Sequence, residues 1–201
     1  MSDAIESKKA RLLELLREKS LKIGKFTLTS GMTSHYYFDS KPTTLDPEGA
    51  CLTAELILHK LREEGVRAQA IGGLSLGADP VVSSVAAMSH VLREAYDPLP
   101  AFIVRKEAKG HGTQRFIEGF KGREGDPVVI VDDVCTTGGS TLNAIEKAEQ
   151  AGYQVAAVVA LVDRQQGGAE RLSNYPFFPI LTAKELLDDP DIQRQLRELE
   201  T

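Results

Sequence analysis

Cysteine, long apolar stretches and excess positive charge are all scarce in this sequence. Its 201 residues include two cysteines, Cys51 and Cys135, which are too few for a disulfide framework or for a cysteine-based zinc site. No apolar run approaches the ~20 residues that a membrane helix needs, and residues 1–16 lack the basic and apolar regions of a secretory signal. We therefore expect a cytoplasmic protein with no membrane partner.

The balance of charge argues against a nucleic-acid partner. The chain carries 24 Lys and Arg residues against 29 Asp and Glu residues, a formal net charge of -5 at pH 7, whereas binding to a phosphate backbone usually needs a basic face. An anionic ligand would have to be held by a local group of positive charges and backbone amides. The place to look is therefore a basic, glycine-rich segment within an acidic protein.

Helical and strand patterns alternate along the chain, whose length suits a single domain, residues 1–201. Helices are predicted over 4–19, 46–64, 79–92, 140–151, 183–187 and 190–199, strands over 68–71, 101–104, 128–131, 155–162 and 177–181, and a strand pair over 23–39. Segments 72–77 and 132–139 are predicted as loops. This alternation indicates an α/β fold with a parallel sheet flanked by helices. Because ligands of such sheets bind beyond the carboxyl ends of the strands, the loops after residues 71, 104, 131 and 162 should converge on one site.

The segment DDVCTTGGST at residues 132–141 carries the most specific signal. A buried strand ends in two acids, and a loop of small and hydroxyl residues leads into a helix, whose free backbone N–H groups suit a phosphate. Two carboxylates beside a phosphate site fit a ligand that also has a cis-diol and a metal, such as ribose 5-phosphate with a diphosphate on its anomeric carbon. The chain contains neither a Walker loop nor GxGxxG. The alternative is a capped helix with incidental acids.

This segment resembles the phosphoribosyl diphosphate (PRPP) motif of the type I phosphoribosyltransferases. Three further segments are similar to the orotate phosphoribosyltransferases: RKEAKGHG at 105–112, DRQQG at 163–167, and FTLTSGMTSHYYFD at 26–39. Each has a plainer alternative, respectively a solvated basic loop, a surface turn, and a hairpin with its aromatic residues in the core. The resemblance spans residues 21 to 168. It implies a type I phosphoribosyltransferase-like parallel sheet, a small hood formed by segments 20–40 and 165–201, and a flexible catalytic loop over about 106–120.

The resemblance also implies an activity. Enzymes of this kind transfer the 5-phosphoribosyl group from PRPP to orotate, giving orotidine 5'-monophosphate and diphosphate, in de novo pyrimidine (UMP) biosynthesis. They are Mg2+-dependent glycosyltransferases, and the Mg2+ is expected to be held mainly by PRPP and water rather than by protein ligands. They act as homodimers in which the catalytic loop of one subunit reaches the site of its partner.

Residue roles follow from the matched motifs. Lys109 and Asp133 are expected to be catalytic. The expected PRPP-binding residues are Arg105, Lys106, Lys109, His111, Asp132, Asp133, Val134, Cys135, Thr136, Thr137, Gly138, Gly139 and Ser140. The expected orotate-binding residues are Tyr37, Phe38, Thr136 and Arg164. A guanidinium such as that of Arg164 can bind a carboxylate through a planar pair of hydrogen bonds.

Cys135 has two interpretations. A thiol near a helix N-terminus has a lowered pKa and could be a nucleophile, but no base is spaced to serve it. The simpler interpretation is a small residue that lines the loop.

The chain departs from some family members at two places. Thr29 and the pair Ser75-Leu76 stand where those members have lysines, which removes positive charge from the expected pocket. Lys41 could restore one charge. Two other functions stay open: a phosphoribosyltransferase for a purine or another pyrimidine, and a PRPP-sensing regulator without catalysis. Neither spare length nor a basic face favours the regulator, and a panel of bases would separate the enzymes.

Overall fold

The computed structural model describes residues 3–27, 33–107 and 116–200, as eight strands and eight helices. The strands are β1 Leu21–Thr27, β2 Thr33–Phe38, β3 Ala70–Leu74, β4 Ala101–Val104, β5 Ile117–Gly119, β6 Pro127–Cys135, β7 Gln154–Asp163 and β8 Phe177–Thr182. The helices are α1 Asp3–Lys19, α2 Lys41–Thr44, α3 Pro47–Glu63, α4 Ala78–Val91, α5 Gly139–Gln150, α6 Gly168–Arg171, α7 Ala183–Leu187 and α8 Pro190–Glu200. None of these helices is long and apolar enough to cross a bilayer.

Six strands form one sheet in the order β5-β4-β3-β6-β7-β8, and β1 and β2 form a separate antiparallel pair. All neighbours in the large sheet are parallel except β4 and β5. Val128 and Ile130 of β6 lie in one apolar cluster with residues of α5, whereas Val129 and Val131 lie in another with residues of α1, α3 and α4. Both faces of the sheet are therefore covered, which explains the continuous apolar strands and confirms the predicted α/β class.

The start and end of α3 follow the predicted capping chemistry. The Asp46 side chain accepts hydrogen bonds from the backbone N–H groups of Glu48 and Gly49, and Pro47 occupies the first helical position. At the other end Gly65 has φ +66, a left-handed conformation that glycine adopts without a steric cost. Local sequence therefore determines this helix, whose predicted bounds are confirmed to within a residue at each end.

The predicted loop at 72–77 begins too early, because Gly72 and Gly73 belong to β3. A methyl group on Gly72 would overlap the ring of Phe102 on β4, and one on Gly73 would overlap the carbonyl oxygen of Val131 on β6. These glycines let both neighbouring strands approach a central strand closely. A pattern of glycines that is typical of a loop here serves tertiary packing.

The predicted loop at 132–139 also begins too early. Strand β6 continues to Cys135 because β7 offers a partner that far, with Asp132 opposite Ala160 and Cys135 opposite Asp163. Asp132 and Asp133 are thus strand residues whose backbone is held by the sheet.

Two further differences concern the predicted hood and catalytic loop. Residues 117–119, within the predicted loop of 106–120, form β5, an antiparallel edge strand beside β4. Within the C-terminal hood segment, 165–201, helix α8 packs on β1, whereas β8 extends the large sheet. β8 belongs to that sheet because it pairs with β7.

We expect Gly72→Ala to lower the free energy of unfolding by ~1–3 kcal/mol, the usual cost of overpacking a core. Phe102→Val removes the ring atoms that the new methyl group would meet, so Gly72→Ala should cost about half as much or less in that background. Urea unfolding of the four variants measures this coupling.

Gly73→Ala is the matched control, because its nearest obstacle is the main chain of Val131 and Phe102→Val should not relieve it. Equal costs of Gly72→Ala in both backgrounds would contradict the packing argument.

Candidate active site

The carboxyl ends of four parallel strands meet at one edge of the large sheet. Leu74 of β3 pairs with Val104 of β4, and Cys135 of β6 pairs with Asp163 of β7. The loops that follow are held to the neighbouring strands, because Ser75 N–H donates to the Val104 carbonyl at 2.9 Å and Arg164 N–H donates to that of Cys135 at 2.8 Å. The loops that follow β3, β4, β6 and β7 therefore begin next to one another, as the strand pattern predicted.

Asp132 is a buried carboxylate bound to the first turn of α5. Its side chain is 8% exposed and accepts hydrogen bonds from the hydroxyls of Ser140, at 3.0 Å, and Thr141. Burial raises the pKa of Asp132 above its ordinary value, the Thr141 hydrogen bond opposes this, and the neighbouring charge of Asp133 adds to it. The residue connects the end of β6 to the start of the following helix.

Asp133 faces different partners. The Ser40 hydroxyl donates to Asp133 Oδ2, and Gly77 leaves the space for Oδ1, since a methyl group at residue 77 would overlap that oxygen. Sequence reasoning selected neither Ser40 nor Gly77 as a partner of Asp133, although Gly77 ends the predicted loop at 72–77. Their contribution is visible only once β6, α2 and α4 are packed together.

A chain of buried hydroxyls lies behind Ser40. The Thr43 hydroxyl lies 3.3 Å from the Leu15 carbonyl of α1 and 2.7 Å from the Ser20 hydroxyl, which lies 3.5 Å from the Ser40 carbonyl. Because the two hydroxyls carry one proton each, they donate two of these three hydrogen bonds at a time. Ser20, Ser40 and Thr43 are all at most 2% exposed. The support of Asp133 therefore extends to the first helix of the chain.

Lys41 lies close to the same carboxylate. Its ammonium pairs with Asp39, and its pKa is raised chiefly by that hydrogen bond, with smaller electrostatic contributions from Asp133 and Tyr37. The sequence alone could not locate this charge. The structure places it within electrostatic reach of Asp133.

Helix α5 begins with exposed donors. Gly138, with φ +75, precedes the helix, and no side chain among the described residues caps its first turn. Thr137 and Ser140 are exposed there, and backbone N–H groups at such a helix start suit an anion. Gly168 lies close behind: its carbonyl oxygen would be 3.3 Å from a methyl group on Gly138.

The expectation of a lowered thiol pKa at Cys135 is wrong. Cys135 is the last residue of β6 and is fully buried. Burial, with a smaller contribution from the charge of Asp132, raises its pKa to about 11. The thiol packs against Gly168, where a methyl group would overlap the sulfur, so Cys135 is a small packed residue and only its backbone faces the loop.

The basic segment is described only in part. The Arg105 guanidinium lies 3.5 Å from the Glu118 carboxylate, and Lys106 is exposed. Both line a cavity of about 400 Å³ together with Ser75, Ile103, Glu107 and Glu118, so the loop after β3 adjoins the basic residues after β4. Lys109 and His111 lie outside the described residues, as does Thr29.

Arg164 stacks on an aromatic ring, but not on one of the two that the sequence patterns selected. Its guanidinium carbon lies 4.8 Å from the centre of the Tyr36 ring, and its Nε is 3.4 Å from the Tyr36 hydroxyl. Tyr37 is 44% exposed, whereas Phe38 is 8% exposed and lies in the core. The prediction for Phe38 is corrected, because alternation along β2 turns its ring into the core.

Replacing Asp132 by Asn should raise the melting temperature at neutral pH. Because the pKa of Asp132 is raised in the folded state, ionisation costs stability. The cost is absent below the unfolded pKa of ~3.9, grows as pH rises from there to the folded pKa, and is constant above it. Asn keeps the size and an acceptor for the two hydroxyls. Thermal unfolding from pH 4.5 to 8 should show the variant's advantage widening with pH.

Asp46→Asn is a control of opposite sign. The Lys19 hydrogen bond lowers the pKa of Asp46, so this variant should be less stable than the wild type by a nearly constant amount from pH 4.5 to 8. The contribution of Asp46 is lost only as pH falls below the unfolded pKa of ~3.9. An advantage of Asp132→Asn that did not depend on pH would contradict the assignment of a buried charge.

Comparison with known proteins shows the family. Residues 80–185 match the phosphoribosyl transferase domain family. The orotate phosphoribosyltransferase of Nostoc sp. is 46% identical over 168 residues, which cover 83% of this chain and 78% of that protein, and that of a Bradyrhizobium sp. is 43% identical over 184 residues, covering 89% and 97%. The crystal structure of Mycobacterium tuberculosis orotate phosphoribosyltransferase in complex with 5-phospho-alpha-D-ribosyl 1-diphosphate has a TM-score of 0.72 and 30% identity, covering 89% of this chain and 98% of that one. With this similarity over most of its length, the chain belongs to the orotate phosphoribosyltransferase family.

Proposed function

We propose that this protein is a cytoplasmic enzyme of UMP biosynthesis that transfers the 5-phosphoribosyl group from PRPP to orotate, giving orotidine 5'-monophosphate and diphosphate. One structural observation supports the proposal in addition to family membership. The two acids that end β6 are held in different environments directly before an uncapped helix start, with Arg164 hydrogen-bonded through its backbone to the same strand end.

The loop between β6 and α5 is proposed to bind the ribose 5-phosphate part of PRPP. Backbone N–H groups of the first turn of α5 and the exposed hydroxyls of Thr137 and Ser140 are donors for the phosphate. Asp132 and Asp133 are proposed to accept hydrogen bonds from the ribose hydroxyls, since carboxylates have several acceptor positions and each acid keeps an oxygen without a side-chain donor among the described residues.

Positive charge after β4 is proposed to stabilise the leaving diphosphate. The bond between the anomeric carbon and the diphosphate oxygen breaks as a ring nitrogen of orotate bonds to that carbon, and the sugar gains oxocarbenium character on the way. Arg105, Lys106, Lys109 and His111 are assigned to the charge that develops on the diphosphate. Asp133 is assigned to the ribose and to the proton balance at the attacking nitrogen.

The orotate carboxylate is assigned to Arg164. Stacking on Tyr36 fixes the plane of the guanidinium, so less side-chain freedom is lost when the planar pair of hydrogen bonds forms. Tyr37, exposed and 5.7 Å from Phe26 between ring centres, is the aromatic residue of β2 that is free to contact a base. Thr136, at the end of β6, is assigned to the same base.

Mg2+ is proposed to accompany PRPP. Among the described residues no three His, Cys, Asp or Glu side chains group closely enough to enclose a metal, while the two acids of β6 can contact the water shell that Mg2+ keeps. The ion would supply charge neutralisation on the diphosphate. The protein would contribute hydrogen bonds to its water ligands.

A homodimer with shared catalytic loops is also proposed. Large apolar side chains are exposed at Leu45, Leu76 and Val91, between 64% and 74%, and Leu76 follows Ser75 at the edge of the candidate site. Burial of such residues favours a subunit contact near the site.

Complementation between two inactive variants tests loop sharing. Lys109→Ala damages the loop, and Asp133→Asn damages the site. If the loop serves the partner's site, each mixed dimer has one intact site, and co-expression should recover about a quarter of wild-type activity, because half of randomly formed dimers are mixed. No recovery in purified mixed dimers would mean that each loop serves its own subunit.

Purified protein with PRPP and Mg2+ should consume orotate and leave uracil, hypoxanthine and adenine unchanged, with no turnover when Mg2+ is chelated. Orotate absorbance follows the reaction. Arg164→Gln should raise the KM for orotate by about 10- to 100-fold, the loss of a charged hydrogen-bonded pair, with the KM for PRPP changed by less than about twofold.

The other outcomes discriminate between the alternatives. Turnover of a different base would keep the PRPP assignment and reject the role of Arg164. Binding of PRPP without turnover of any base would favour the regulator.

A further inference from the structure

Lys147 joins helix α5 to the basic segment after β4. Its ammonium donates hydrogen bonds to two consecutive carbonyl oxygens, that of Arg105 at 3.0 Å and that of Lys106 at 2.8 Å. The side chain is half-buried, so the bond to the Arg105 carbonyl is partly shielded from water. Charged donors form stronger hydrogen bonds than neutral ones, and none of the four matched motifs includes Lys147.

The same ammonium contacts the returning chain. Lys147 Nζ lies 4.6 Å from the centre of the Phe116 ring, a cation–π contact. The Phe116 carbonyl in turn accepts a hydrogen bond from Arg105 N–H at 2.8 Å. One side chain therefore contacts residues before and after the segment 107–115, at the point where these residues pair with each other.

Helix α5 connects this clasp, formed by Lys147 with Arg105, Lys106 and Phe116, to the phosphate-binding loop. The helix starts at Gly139 and Lys147 is eight residues further along, a rise of ~12 Å. Asp132 is hydrogen-bonded to the first turn of the same helix. The proposed sites for the 5-phosphate and for the diphosphate are thus connected through one rigid element.

We propose that Lys147 is a positioning residue that holds the backbone of Arg105 and Lys106 at the distance from the β6–α5 loop that PRPP requires. This inference rests on the proposed function. Lys147 itself is not proposed to contact a substrate. It acts through the two carbonyl groups, so that the cationic side chains of Arg105 and Lys106 face the diphosphate while the 5-phosphate occupies the start of α5.

Lys147→Met is the informative variant. It keeps an unbranched apolar side chain and the helix propensity of the site, and it removes the charge and all three donors. We expect kcat/KM for PRPP to fall by about tenfold or more, the KM for orotate to change by less than about twofold, and the melting temperature to stay within a few degrees. Lys147→Arg keeps charge, donors and ring contact, and should restore most of the loss.

Lys60→Met is the matched control. Lys60 is also half-buried on a helix, and its partners are Glu63 and Glu64 of the same helix, away from the strand ends. Its loss should leave kcat/KM for PRPP unchanged.

Hydrogen exchange provides a readout that does not depend on turnover. The Arg105 amide is protected by the Phe116 carbonyl, so exchange in peptides covering 101–107 and 116–122 should be about tenfold faster in Lys147→Met than in the wild type or Lys60→Met. Unchanged exchange together with unchanged PRPP kinetics would overturn the proposal. So would an equal loss for both substrates that Lys147→Arg does not restore.

Failure of the proposed function has a different signature. A wild-type protein that did not turn over orotate would reject the activity, whereas an active wild type with an indistinguishable Lys147→Met variant would reject the role of Lys147 alone.

Discussion

The pairing of β6 with β7 continues beyond the apolar core, and the candidate site depends on this extension. Successive strand residues point to opposite faces of a sheet. Asp132 therefore meets the first turn of α5, and Asp133 meets Ser40 and Gly77 on the other side. Two adjacent acids obtain different surroundings from the period of the strand alone. A flexible loop at these positions would not hold the carboxylates apart in this way.

The buried carboxylate of Asp132 lowers the stability of the fold, although it is proposed to bind the substrate. An isolated carboxylate at 8% exposure is unfavourable, and two hydroxyl donors offset only part of the cost, as the raised pKa indicates. A neutral residue would suit the fold better. The proposed hydrogen bond from a ribose hydroxyl gives a reason for an acid that the fold alone does not favour.

Sequence patterns predicted the elements well where a single segment determines its own structure. The α3 helix has its cap, its proline and its terminal glycine in the local sequence, and β4 is a short apolar run with clear ends. The patterns failed where contacts with another segment determine the structure. Gly72 and Gly73 belong to a strand because Phe102 and Val131 on the neighbouring strands occupy the space that side chains would need. The strand β5 depends on the edge that β4 offers.

The site shows the same division. Contiguous motifs contain Asp132, Asp133, Arg164 and the start of α5, and the structure places them at the carboxyl ends of β6 and β7, the edge at which the strand pattern predicted a site. Ser40, Tyr36 and Lys147 make contacts across 93, 128 and 41–42 residues of sequence. A single sequence contains no local signal for such pairs. Phe38 was misjudged for a related reason, since burial is a property of the assembled core. For Cys135 the same burial decides between the two interpretations, in favour of a small packed residue.

The buried hydroxyls behind Ser40 connect helix α1 to the candidate site. Through Thr43 and Ser20 the carboxylate of Asp133 is joined to the Leu15 carbonyl near the end of α1. The row ends on the backbone carbonyl of Ser40, whose own hydroxyl donates to Asp133, so removing one hydroxyl leaves a buried neighbour without a partner. A shortened chain that begins after α1 would keep every residue of the PRPP motif. It would lose the contacts to α1 that support Ser40, the hydrogen-bond partner of Asp133.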